Sequence, residues 1–198
     1  MLVKQRKQLI TMLKGDKKRP IHCDEAVKIK QDMLSQFDVK IAEVENKMTE
    51  MINQDPDLSK TSAIAQSLPG IGPVTSTELI IKTDNFQRVS TAKKCATLAG
   101  ISPWPNSTGK SDKGSHVSKM GDKELKSLLY LCASSAAIYF EKMRLYKMKK
   151  YDVEKKHIYV VLNNIANKLL KILYAMIKKG ELFNPLYLPR DPRLKILN

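Results

Sequence analysis

Cysteine is scarce and unpaired in this 198-residue chain: Cys23, Cys95 and Cys132 are odd in number and widely spaced, and no Cys-x-x-Cys pair occurs. That usage argues against a disulfide framework or a zinc site and fits a reducing compartment. Acidic residues are also in deficit, twenty against thirty-five Lys plus Arg, which leaves a formal charge of +15 and a pI near 9.7. No apolar run approaches the roughly 20 residues that span a bilayer, and the Met1 to Arg6 start lacks the apolar centre of a signal peptide. A cytosolic protein with no membrane partner is expected. His22, His116 and His157 have no partners at metal-ligand spacing and read as surface or capping residues. Asp and Glu are scattered, without a cluster resembling a two-metal nuclease site.

What remains is a basic, foldable chain. With 42% hydrophobic and 28% charged residues it can bury a core and form one or two domains. The excess of cations favours a polyanionic partner, because each neutralised phosphate releases counterions and makes binding salt-dependent. A basic surface kept for solubility is the plainer alternative.

Periodicity and breakers divide the chain into helices. Met1 to Lys14 reads as a short basic helix broken by Gly15-Asp16. From Asp24 to Gln54, apolar residues at Met33, Phe37, Ile41, Val44, Met48 and Met51 form a seam at spacings of four and three. That seam suits either a dimeric coiled coil or an antiparallel hairpin with the first helix. Asp55-Pro56-Asp57 stops it. A helix from Leu58 to Leu68 leads into Gly70-Ile71-Gly72, and Pro73 stands where a first turn tolerates proline. The next helix runs from Val74 to Lys82. Ser90 is the expected N-cap of a helix from Thr91 to Ala99, with Gly100 beyond its end. Ile101 to Asp122 reads as a long polar loop holding Trp104, the chain's single tryptophan. Two long helices follow, Lys123 to Lys149 and one centred on Val161 to Met176, joined by a lysine-rich connection. Gly180 ends the last, and the tail beyond Leu182 reads as extended. No strand pattern stands out, so the fold is expected to be mainly α. The divisions are a basic helix and coiled-coil segment over 1–55, a helical domain over 58–187 and a tail over 188–198.

Two segments carry the candidate chemistry. The Gly70-Ile71-Gly72 bend between helices offers backbone N–H groups at a helix N-terminus, an arrangement that holds phosphate. Helix-hairpin-helix modules grip duplex backbones in this way without reading bases. Gly70, Ile71, Gly72 and Thr75 are therefore candidate DNA-binding residues, with a packing turn as the bland alternative. The polar loop adds Gly109, Lys110, Lys113 and Lys119 as candidate phosphate contacts. Gly109-Lys110-Ser111 resembles the end of a Walker A loop, but the first glycine is replaced by Trp104, so ATP binding is not expected. The loop hydroxyls could serve as nucleophiles toward a phosphodiester once a base or metal activates them.

Four segments in order then define a resemblance: Leu68-Pro-Gly-Ile-Gly-Pro-Val-Thr75, Cys95-Ala-Thr-Leu-Ala-Gly-Ile-Ser-Pro103, Ser107-Thr108-Gly109, and Val117 through Leu129. Together they resemble the C-terminal transposase domain of the insertion-sequence one-ten family, from about Ser67 to Tyr187. The resemblance implies a mobile-element recombinase, cytoplasmic in a bacterium and nucleoid-associated, that binds double-stranded DNA and a structured guide RNA as a dimer or larger assembly. It also implies that the hydroxyl before Gly109 joins protein to DNA, while an upstream RuvC-like domain supplies four acidic metal ligands. Here position 108 carries threonine where the family has serine, with Ser107 beside it, so both are catalytic candidates. The RuvC-like half is not in this sequence. The expectation is a C-terminal part that binds no cofactor alone, needs Mg2+ only with a RuvC-like domain, and is otherwise a non-catalytic nucleic-acid-binding remnant or regulator.

Overall fold

A computed structural model describes residues 2–17, 24–108, 111–118 and 120–186. It is mainly α-helical, with eight α-helices, one π-helical segment and one two-stranded ribbon among the described residues. Helices α1 (Leu2–Lys17) and α2 (Asp24–Gln54) form an antiparallel pair, fixed by an Arg6 Nε to Glu45 Oε1 contact of 2.6 Å. The antiparallel alternative is thus the one this chain adopts within itself. Gly15 and Asp16 do not break α1. A single glycine costs a helix only about 1 kcal/mol, and α1 continues through it along α2. Of the α2 seam, Met48 is buried and Phe37, Ile41 and Val44 are half-buried, whereas Met33 and Met51 stay exposed.

The stop at Asp55-Pro56 is also the next start. Asp55 caps α3 (Pro56–Ser67), its carboxylate accepting from the N–H groups of Asp57 and Leu58, with Pro56 at N1. The Gly70-Ile71-Gly72 bend then delivers α4 (Pro73–Thr83). Helix α5 (Ala92–Leu98) is capped by Thr91 and not by Ser90: the Thr91 hydroxyl accepts from Lys94 N–H at 3.3 Å. Gly100, at φ +64°, takes the left-handed position after it.

Ile101 to Asp122 is not an irregular loop. Strands β1 (Pro103–Thr108) and β2 (Ser111–Val117) form an antiparallel ribbon, with Trp104 opposite His116 and Thr108 opposite Ser111. Register shifts between Pro105 and Ser107 mark a bulge, a place where strands admit proline. The expected Lys123–Lys149 helix is divided. Helix α6 (Lys123–Tyr139) ends at the extended Phe140, α7 (Glu141–Lys147) restarts, and a π-helical segment (Met148–Val153) completes the basic connection. Phe140 is buried against Phe183, rings 5.2 Å apart, so packing sets the break without glycine or proline.

Helix α8 (Ile158–Lys179) is the central strut. It is capped by His157 and closed by left-handed Gly180. By length and composition it is the one described helix able to cross a membrane, although Asn163, Asn164, Asn167, Lys168 and Lys171 interrupt its apolar residues. Its Val161, Ile165, Leu169 and Leu173 are nonetheless fully buried against α6 and neighbouring helices, as core. Residues 187–198, including the expected tail, lie outside the described residues.

Candidate nucleic-acid interface

Three neighbours build the site: the α3–α4 bend, helix α1 and the outer side of α6. The two glycines of the bend differ. Gly70 has φ +100°, and a methyl placed on it would stand 2.6 Å from the Cys132 carbonyl oxygen and 2.9 Å from Ala136 Cβ. Its smallness lets the bend press onto α6. Gly72 is exposed, has ordinary extended backbone and faces open space. Between them Ile71 is buried in the core. Thr75 is also buried, and its Oγ1 accepts from the Cys132 thiol at 3.4 Å. Burial pushes the Cys132 thiol up, against opposing hydrogen bonds with Thr75 and the Gly72 backbone. Cys95 is pushed up to about 11 by burial. Both thiols are protonated packing groups, unsuited to nucleophilic work.

A cleft of about 760 Å3 opens where α1 crosses this bend, with Gly70, Gly72 and Thr75 on one wall and Arg6, Lys7 and Lys14 on the other. Lys14 is exposed and has no ion pair among the described residues. Lys7 is tied down: it pairs with Glu124 and stands 3.6 Å from Glu78, whose Oε1 is buried without a hydrogen-bond partner. Lys82 stands 3.7 Å from the same Glu78 oxygen and 2.6 Å from Asp122 Oδ2. This network holds α1 against α4 and the start of α6. The Asp122 hydrogen bond raises the Lys82 pKa. Burial alone would push the Asp122 carboxyl up, but Lys82 and the N–H groups of Leu125 and Glu124 together hold it below its ordinary value.

Glu78, Asp122 and Glu124 therefore converge in space although the sequence scatters them. Lysine ammonium groups pair with them, leaving Glu78 Oε1 without a hydrogen bond, and among the described residues no group of three or more His, Cys, Asp or Glu is arranged to hold a metal. The residues present do not fit the two-metal centre that phosphodiester chemistry uses.

The ribbon is gripped at its base. Gly121 packs on Gly100 so closely that a methyl on Gly121 would stand 2.7 Å from the Ala99 carbonyl carbon and closer still to the Gly100 backbone. Asp122 N–H donates to the Leu98 carbonyl at 2.7 Å. Asn163 and Asn167 of α8 both donate to the Ile101 carbonyl, at 2.9 and 3.0 Å. Beyond that base the strands are chiefly each other's neighbours. Ser107 and Thr108 end β1, opposite Asp112 and Ser111, so both occupy the outer end of the arm. Lys113 lies on β2. Gly109, Lys110 and Lys119 lie outside the described residues. Sequence reasoning missed Arg6, Lys7 and Lys14 as cleft residues. Their juxtaposition with the bend depends on contacts between residues more than a hundred positions apart, such as Lys7 with Glu124.

Residues 62–149, which hold the bend, the clamp and the arm, match the transposase family described as IS116/IS110/IS902. That segment of the chain is similar to the transposase domain of this family. It is similar to the pilin gene-inverting protein of Moraxella bovis, 28% identical over 158 residues that make 77% of this chain and 48% of the relative. It also resembles a 44.8 kDa protein of insertion element IS116 from Streptomyces clavuligerus, 28% identical over 122 residues, 62% of this chain and 30% of that protein. The transposase of insertion element IS1328 from Yersinia enterocolitica is 27% identical over 150 residues, covering 73% of this chain and 43% of its own length. The chain thus spans about half the length, or less, of these relatives. Two of these relatives are by name a gene-inverting protein and a transposase.

Proposed function

We propose that this chain is the DNA-gripping and strand-joining part of an insertion-sequence transposase, with double-stranded DNA as substrate. The observation that carries the reading is the cleft itself: Lys14 and the Glu45-paired Arg6 line it together with the exposed Gly72 at the start of α4. Cations opposite a helix start suit a phosphate backbone and ignore base identity. Gly72 is the open member of the bend, while Gly70, Ile71 and Thr75 build it by packing.

The arm supplies the nucleophile. In the proposed step the Thr108 or Ser107 oxygen attacks a backbone phosphorus and its proton passes to a base. The bond from phosphorus to a deoxyribose oxygen breaks, and that oxygen leaves as a hydroxyl after taking up a proton. One phosphodiester is exchanged for another, so no external energy source is required. Activation needs carboxylates that the described residues do not offer; a RuvC-like domain with Mg2+, on the same polypeptide or another, is the proposed source. A structured guide RNA and a second copy of the chain are the further proposed partners.

The test pairs this chain with a RuvC-like domain, Mg2+ and a nicked duplex and looks for a covalent protein–DNA adduct. Thr108→Ala is expected to abolish the adduct and leave duplex affinity within about twofold, a change of under 0.5 kcal/mol. An adduct lost only with Ser107→Ala moves the nucleophile by one residue. Retained DNA binding with no adduct under any pairing favours the non-catalytic regulator.

A further inference from the structure

On the opposite flank of α6 lies a groove of about 730 Å3 that the proposed duplex grip does not use, with Tyr130 and Tyr159 on its floor and Lys123 and Lys126 on its lip. Tyr159 is 64% exposed, so no packing demand accounts for an aromatic ring there. His157 stacks on it at 5.4 Å, and Tyr130 stands 6.4 Å away at a tilt of 51°. The result is a cluster of aromatic rings at the groove. Tyr130 is held in place by its hydroxyl, which donates to Asn163 Oδ1 at 3.2 Å, and Asn163 also holds the base of the arm through the Ile101 carbonyl. No carboxylate lines the groove, and neither Lys123 nor Lys126 is ion-paired among the described residues.

Aromatic faces beside unpaired cations match an unpaired nucleic-acid strand, whose bases stack on rings while its phosphates meet lysines. A duplex hides its base faces and gains nothing from such a cluster. The exposed Leu131 lines both this groove and the α1 cleft, so the two lie side by side across the ridge of α6. We infer that the Tyr130–Tyr159 groove binds an unpaired strand by base stacking, beside the duplex cleft. This rests on the reading of the chain as a nucleic-acid-handling transposase part. It adds a second site that separates unpaired from paired nucleic acid. The strand is displaced DNA or a loop of RNA, and the two share this chemistry.

The experiment measures fluorescence anisotropy of labelled oligo(dT), oligo(rU) and duplex DNA, with single strands of about twelve nucleotides. Wild type is compared with Tyr159→Ala, Tyr159→Phe, the Lys123→Gln/Lys126→Gln pair, and Tyr139→Ala as an exposed tyrosine outside the groove. Tyr159→Ala is expected to weaken the bound single strand about tenfold and duplex less than twofold; Tyr159→Phe and Tyr139→Ala are expected to match wild type. The lysine pair is expected to weaken the single strand and flatten its salt dependence. Tighter binding of one oligonucleotide identifies the strand as DNA or RNA. Unchanged single-strand affinity in Tyr159→Ala, or an equal loss for duplex, overturns the inference. Wild type that binds duplex and no single strand also overturns it and leaves the proposed function standing. Binding of neither overturns both.

Discussion

The bend at Gly70–Gly72 and the arm at Pro103–Val117 are both set by glycines, yet they are built in opposite senses. The bend is sunk into the molecule: Gly70 lies against α6, Ile71 is core, and of the three only Gly72 is exposed. The arm is clamped at its root by Gly100 against Gly121 and extends outward from there. A grip on a phosphate backbone needs fixed groups, since every misplaced donor loses its hydrogen bond. A nucleophile that must meet an activating site outside the described residues needs reach. On the proposed function, holding falls to the Gly70 contact with α6 and delivery to the Gly100–Gly121 contact just before that helix.

The comparison can be broken most severely at the root of the arm. Gly121→Ala forces a methyl into the backbone of Ala99 and Gly100, where no flexible side chain can yield. A loss of roughly 3–5 kcal/mol is expected, read as a large fall in the urea midpoint. Next in size is Gly70→Ala, which adds left-handed strain to a clash with α6; roughly 2–4 kcal/mol is expected from the two causes combined. The matched change at Gly72 sharpens the contrast. Gly72→Ser meets open space and supplies a good N-cap, so the unfolding free energy from urea titration is expected to stay within about 0.5 kcal/mol of wild type. Equal losses at 70 and 72 would remove the distinction between a packing glycine and an open one.

A smaller effect comes from the ion network that holds α1 over the bend. The Asp122 pKa is depressed in the folded protein, so its contribution is intact above the unfolded value near 3.9 and is lost as pH falls through the lower folded value. Lys82 is raised, so its share is intact below about 10.4 and is lost as pH climbs through the folded value. Between these limits the pair contributes at most about 1 kcal/mol, because both groups are partly exposed. Asp122→Asn keeps the cap oxygen and removes the charge. Its unfolding free energy is expected to vary less with pH below about 5 than that of wild type; curves of equal steepness would assign the acid sensitivity elsewhere.

Local signals in the sequence located much of this fold. Asp24–Gln54, the Asp55-Pro56 stop, Pro73 at the head of α4 and the ends at Gly100 and Gly180 all follow from capping and breaker chemistry within a few residues. The ribbon did not show, because Pro103, Pro105, Gly109 and Gly114 mask a strand whose pairing is made across the hairpin. The break at Phe140 was equally silent, being set by a distant phenylalanine, Phe183. At the site, the glycine bend was legible as a motif, but the division of labour between Gly70 and Gly72 needed α6, and the cationic wall needed α1 folded back across it.

The most direct test is the salt dependence of duplex affinity for wild type and for Lys14→Gln, a cation of the α1 wall with no ion pair among the described residues. Wild type is expected to lose affinity steeply from about 50 to 200 mM salt, and Lys14→Gln to bind more weakly with a log–log slope lower by about 0.9. Duplex affinity that ignores salt, or a slope untouched by removing Lys14, would contradict a phosphate grip in the cleft.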